Sequence, residues 1–285
     1  MSKKPIAVLA LLAVGAVTGV IVVVNNLTDS IKLPQLQMGP ACVVRADGEV
    51  ALDAVQMANA ATISAIGVSR KMPERAVVVA LATALQESKL ENIEHGDRDS
   101  LGLFQQRPSQ GWGTPDQLLD PRYSSRKFYA SLKRVKGWEK MRVTDAAQRV
   151  QRSAYPNAYE KWADEAAVLA KALTGRATGA VSCTITGEPA MRGKQATTAL
   201  TKGMKLDWGR GLGKTVAQTA VLTVSVSDRS AGWRYAHWLV SHARDTGLER
   251  VRFADLEWHA PAGKWQPVTA DRKVGNGRVV AEVFS

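Results

Sequence analysis

Three short stretches hold residues whose types and spacing could do chemistry: Gln86-Glu87-Ser88, Gly96-Asp97-Arg98-Asp99-Ser100 and Gly102-Leu103-Phe104-Gln105-Gln106. Glu87 closes a mostly apolar segment, so one side of its carboxyl is poorly solvated. Desolvation disfavours the charged form and raises the pKa, as a general acid working near neutrality requires. The competing reading is a helix-end glutamate in water, or one paired with Lys89. Asp97 and Asp99 offer further carboxylates in the loop beyond. Gly-Asp and Asp-Ser are also strong turn pairs, so a purely conformational role stays open for both.

The order Glu87-Ser88, then Gly102-Leu103-Phe104-Gln105, then Ala154-Tyr155 with a helix beyond resembles the signature of soluble lytic transglycosylases and goose-type lysozymes. That superfamily closes a helix with a glutamate-serine pair, lines its cleft with a Gly-Leu-Met-Gln turn and sets a tyrosine motif opposite. The likeness runs from about Ala51 to Gly175, and Thr83 to Tyr159 is similar to membrane-anchored exported proteins of actinobacteria. It implies a lysozyme-like fold that cuts peptidoglycan between N-acetylmuramic acid and N-acetylglucosamine. Glu87 would protonate the glycosidic oxygen, Ser88 would orient it, Gln105 would contact sugar and Tyr155 would face the cleft. Phe104 stands where the family has methionine, and Pro156 and Asn157 interrupt the family's Tyr-Asn-Ala-Gly order. Hydrolysis would need a second carboxylate, for which Asp97 and Asp99 are the candidates. A lytic transglycosylase needs none, because the substrate's own hydroxyl closes an anhydro ring. Trp112, in a glycine-rich loop, is the candidate to stack on a sugar face, whereas Trp138 and Trp162 read as core. No metal or organic cofactor is implied.

Helices must position these residues. Leu52–Val68 reads as one, with Gly67 at its end, and Met72–Leu90 as the next, with Pro73 in its first turn. Val77, Leu81 and Leu85 form one stripe of that helix, and Ala80, Thr83, Ala84 and Glu87 a second. Glu91–Pro121 is loop-rich; Arg122–Val135, Thr144–Ser153 and Ala158–Thr174 read as three more helices. Later, Val221–Val226, Arg250–Phe253 and Val279–Phe284 read as strands around an amphipathic helix, Gly232–Thr246. The expected architecture is a transmembrane helix (1–26), a stalk (27–50), an all-α lysozyme-like domain (51–183), a linker (184–200) and a small α+β domain (201–285).

Lys3 and Lys4 precede an apolar run from Pro5 to Val24. That is about 20 residues, long enough as a helix to cross a bilayer core. A secretory signal has a shorter core and a small-residue cleavage site, which the valines before Asn25 do not supply. The expectation is an uncleaved single-pass anchor with the remainder outside the cell membrane. The formal charge of +12 then points to anionic wall polymers and lipid headgroups as partners beside peptidoglycan, with nucleic acid resting on charge alone. Cys42 and Cys183, the two cysteines of the chain, are expected to form a disulfide in that oxidising compartment.

Gly232–Trp265 loosely resembles a small domain related to zinc D-Ala-D-Ala peptidases. Of the ligands such a site needs, Asp228 alone is suitably placed. His237 and His242 are five residues apart, roughly 140° around a helix, and so do not converge on one metal. A non-catalytic binding or structural module is expected. The leading reading is a tethered peptidoglycan glycosidase, and its alternative is an inactive lysozyme fold that binds wall as a scaffold.

Overall fold

Cys42–Arg45 (β1) turns back through Ala46–Gly48 into Glu49–Leu52 (β2), burying Cys42, Val44, Val50 and Leu52 on one face. The computed structural model that shows this describes residues 41–153, 155 and 157–285. Asp53 then caps Ala54–Ser69 (α1): its carboxylate accepts from the Gln56 amide, and Gln56 Oε1 accepts from the Asp53 amide. This reciprocal box satisfies two amides that a helix start leaves orphaned. α1 is buried almost all round, from Met57 to Ile66, and is the axis of the molecule's core.

Pro73 opens Glu74–Ser88 (α2), which packs against α1 through small and branched residues including Val77, Ala80, Leu81 and Ala84. Cutting Leu81 back to alanine in such a core costs roughly 2–5 kcal/mol. Pro115–Leu118 (α3), Pro121–Leu132 (α4), Val143–Gln151 (α5) and Ala163–Leu173 (α6) complete the helical part. Val181–Cys183 (β3) returns to pair antiparallel with β1, with Cys183 directly opposite Cys42, and the two form a disulfide.

Gly193–Trp208 (α7) is followed by the strands Thr215–Ala217 (β4) and Val221–Ser225 (β5). Asp228 caps Arg229–Ser241 (α8) by accepting from the Ala231 amide, and Ala243–Thr246 (α9) adds a short turn. Leu248–Ala254 (β6), Leu256–His259 (β7), Trp265–Pro267 (β8) and Gly275–Val283 (β9) finish the chain. These strands form a six-stranded antiparallel sheet in the order β4-β5-β9-β6-β7-β8, and β2-β1-β3 forms a separate three-stranded sheet.

The expectation of an all-α domain followed by a separate α+β domain is therefore corrected. Residues 40–285 form one compact unit of mixed α/β type, with nine helices and two antiparallel sheets among the described residues. Its core is continuous across both halves, since α8 packs on α1 and α6 as well as on β6 and β9. Gly232 permits that close packing: a Cβ there would lie 1.9 Å from the Phe253 ring. Trp258 and Trp265 donate to the carbonyls of Cys183 and Val181, so the large sheet is tied to the small one. Residues 184–200, expected as a linker, contribute the first half of α7, whose Ala196, Thr197, Leu200 and Met204 are buried. The sequence reading missed the small sheet because its strands have three or four residues each, too few to show an alternation. The expected transmembrane helix and most of the stalk lie outside the described residues; among those described, no helix is long and apolar enough to cross a membrane.

Candidate active site

Glu87 lies one residue from the end of α2, and an unusual helix ending fixes where it points. Lys89 and Leu90 both take left-handed backbone conformations, at φ 56° and 64°. Two successive non-glycine residues there are disfavoured unless their surroundings hold them. The hold comes from α1: Gln56 Nε2 donates to the Lys89 carbonyl at 3.0 Å, and Asn59 Nδ2 to the Leu90 carbonyl at 2.8 Å. The Leu90 amide bonds back to Ala84 O and the Lys89 amide to Leu85 O, closing the last turn.

Ser88, expected to orient Glu87, bonds backbone carbonyls. Its hydroxyl lies 2.8 Å from Leu103 O and 3.1 Å from Ala84 O, which ties the Gly102–Gln105 turn to the helix. That turn needs Gly102, at φ 73°, because a Cβ would meet the Leu118 carbonyl at 2.4 Å. Gln105 itself sits at φ 46° and donates to Gly102 O, with its carboxamide over Gly96.

Glu87 is largely buried, and burial raises its carboxyl above the ordinary range. Two hydrogen bonds to Oε1 oppose that rise: the Tyr159 hydroxyl at 2.7 Å and Gln151 Nε2 at 3.2 Å. Burial is the larger effect, so the net direction is upward. Gln151 also donates to the Phe104 carbonyl at 2.7 Å, joining the end of α5 to the turn. Arg152 ends α5 in a left-handed conformation, and Gln148 clasps Ser153 O just beyond it.

The carboxyl opens on a groove of about 430 Å³ whose walls include Asp97, Gln105, Gln106, Trp112, Gln151 and Tyr155. The structure thus brings Glu87, Asp97, Gln105, Trp112 and Tyr155 to one concavity. Asp97 is solvated, its side chain 93% exposed. Tyr155 is likewise exposed, at 75%; its neighbours Ala154 and Pro156 lie outside the described residues. Asp99 is not part of the groove lining. Arg107 binds it at 2.6 Å, and the Ser109 amide and hydroxyl bind it at 2.8 and 3.0 Å. Those bonds, led by the Ser109 amide, hold Asp99 well below the ordinary carboxylate range. Asp99 is therefore a strap for the Arg107–Ser109 loop. Trp138 is buried in the core, and Trp162 donates to Gln86 Oε1 with the Lys89 ammonium 3.8 Å above its ring.

Sequence reasoning missed Tyr159 and Gln151, the two side chains that touch Glu87. Tyr159 sits four residues past Tyr155, and neither spacing nor composition separates the two. Gln106 was unassigned as well: it is buried at the groove wall with both carboxamide atoms unpaired among the described residues. Buried unpaired groups are uncommon and mark places where a ligand or water completes the bonding.

In the other half, His237 and His242 are both occupied by internal bonds. His237 Nε2 accepts from the Ala180 amide at 2.9 Å, so Nδ1 carries the proton and donates to Ala172 O at 2.8 Å. His242 stacks on Trp238 and bonds the Trp238 carbonyl. Asp207 is fully buried on α7, accepting from Arg122, Trp238 Nε1 and Thr62 Oγ1. No protein-family model and no curated protein matches this chain.

Proposed function

We propose that the chain is a peptidoglycan-cleaving glycosidase in which Glu87 is the general acid, held at the outer face of the cell membrane by residues 1–26. One observation carries the reading: a desolvated carboxyl with a raised pKa, at a helix end, opening on a polar groove. Such a carboxyl keeps its proton to higher pH than a solvated one does and can deliver it to a leaving glycosidic oxygen. The groove walls offer carboxamides for sugar hydroxyls and Trp112 for a sugar face. Asp97 is the other carboxylate bordering the groove among the described residues, and it is solvated rather than aimed. A mechanism with one acid and no placed base, the transglycosylase route to an anhydro end, is the better fit.

The test is release of soluble fragments from purified peptidoglycan by the oxidised full-length protein in detergent, read by mass spectrometry beside Glu87→Gln. Release that Glu87→Gln abolishes supports the proposal. Anhydro ends would assign a lyase and reducing ends a hydrolase. A binding scaffold is the second reading, favoured by the two hydrogen bonds that stabilise ionised Glu87. Absence of release, with wall binding kept in both forms, would establish that second reading in its place.

A further inference from the structure

The groove does not stop at Trp112. A second concavity of about 580 Å³ shares Gln110, Trp112, Gln151 and Arg152 with the first, so the two are arms of one trough. The second arm has a different electrostatic character. Lys127 reaches it from α4, Arg134 from the turn just beyond that helix, and Arg149 and Arg152 from the end of α5, with no carboxylate in its lining. On the Glu87 arm two of the three lining cations are compensated: Arg107 lies 2.6 Å from Asp99 and Arg98 lies 4.0 Å from Asp97. The third, Arg152, is the one shared with the second arm. None of the four cations of the second arm forms an ion pair among the described residues. Asp145, on the same helix as Arg149, is held by both donors of Arg142, and Arg149 acts on it only at longer range. Like charges gathered in a concave wall repel one another and focus a positive potential, which an anion relieves.

We propose that this arm holds the anionic substituents of a wall glycan strand whose sugar backbone lies along the Glu87 arm. The polymer named here rests on the glycan-cleaving reading above. The shared chemistry is a carboxylate or phosphate hung from the strand, and arginine forks bind either one through paired N–H donors. Nucleic acid fits less well. Non-specific binding of single strands uses a run of stacking aromatics, and Trp112 is the one aromatic that lines this arm.

The experiment measures co-sedimentation of full-length protein carrying Glu87→Gln, which leaves the strands uncut. Three substrates separate the sources: whole walls, walls stripped of phosphate polymers by hydrofluoric acid, and walls whose carboxyls are capped as neutral amides by carbodiimide coupling. Arg134 and Arg149 are exposed, and circular dichroism melts would verify the fold of each variant. The pair Arg134→Ala with Arg149→Ala should bind whole walls roughly two- to tenfold more weakly, given the modest worth of exposed charge contacts. Arg134→Glu with Arg149→Glu should weaken binding further, and high salt should erase the difference. Loss of wild-type affinity on acid stripping assigns phosphate, and loss on amide capping assigns carboxylate.

The proposal is overturned if neither treatment lowers wild-type affinity, or if both double variants bind whole walls as wild type does. It is also overturned if the variants lose affinity for DNA more than for walls. Unchanged wall affinity beside Glu87-dependent release would remove the cationic arm and leave the cleavage reading intact. Charge-dependent affinity with no release by the wild-type protein would do the reverse.

Discussion

The hydroxyl of Tyr159 donates a 2.7 Å hydrogen bond to Oε1 of Glu87, joining the turn that leads into α6 to the end of α2. The bond opposes the effect of burial, because it favours the charged carboxylate. Tyr159→Phe removes it and leaves Gln151 as the donor to that oxygen. The Glu87 carboxyl should then rise further, moving the alkaline limit of activity upward by on the order of one pH unit, since a hydrogen bond to a charged group is worth about 1.5–3 kcal/mol. A pH profile of fragment release checks this. An unmoved alkaline limit would show that Glu87 is not the group titrating there.

Glu87→Gln should make the protein more stable at neutral pH. The folded carboxyl titrates above its unfolded value. Its contribution is therefore fully favourable below the unfolded pKa and is lost as pH rises through the folded one. Glutamine keeps the shape, still accepts from Tyr159, and carries no buried charge. Melting temperatures should favour the variant at pH 7 and converge with wild type near pH 4.

His237 predicts acid sensitivity of the whole unit. Burial pushes its imidazole down to about 4 from 6.5. The neutral ring accepts from the Ala180 amide, a bond that protonation of Nε2 would break. A folded pKa below the unfolded one gives stability that is present above pH 6.5 and lost as pH falls toward 4. The loss is on the order of 3 kcal/mol across that window. Urea unfolding at pH 7, 5.5 and 4 should show it. His237→Gln, which retains an acceptor for Ala180, should flatten the trend, and His242, also lowered by burial, should account for part of what remains.

Asp207→Ala should cost about 3–5 kcal/mol, the usual consequence of removing one partner from a buried charge pair. The variant strands the Arg122 guanidinium and the Trp238 indole N–H, both of which Asp207 now accepts from. α4, α7 and α8 meet at that carboxylate. Unfolding followed by far-ultraviolet circular dichroism and by tryptophan fluorescence should still give one coincident transition, at lower urea.

Reducing the Cys42–Cys183 bridge should destabilise by about 5 kcal/mol in the chain-entropy account of so long a loop. The loop spans a sequence separation of 141 residues. β1 and β3 still pair through their backbones, so the reduced protein should fold with a lower melting temperature. Equal melting curves with and without reductant would contradict this.

The helices around the candidate acid were legible because proline, glycine and apolar spacing mark their ends. Pro73 opens α2, and observed α1, α2 and α4 lie within a few residues of their expected bounds. The cysteine pairing was legible too, since two cysteines leave one partner each. α7 was hidden because lysine, threonine and glycine dilute its buried positions, Ala196, Leu200, Met204, Asp207 and Trp208. A buried aspartate reads from sequence as surface; only the arrival of Arg122 and Trp238 explains it. Tyr159 was invisible for the same reason, since its partner lies 72 residues away.

The two tryptophan bonds from the large sheet to β3 bear on how such a chain can be rearranged in evolution or in the laboratory. Trp258 and Trp265 are fastened to carbonyls within two residues of the disulfide. The helical half therefore does not carry its own closing wall. Grafting residues 51–183 onto another protein would leave the carbonyls of Val181 and Cys183 without these donors, and the flank of α1 without its cover. The catalytic candidate is not a cassette. It can be exchanged between proteins only together with the sheet that comes after it.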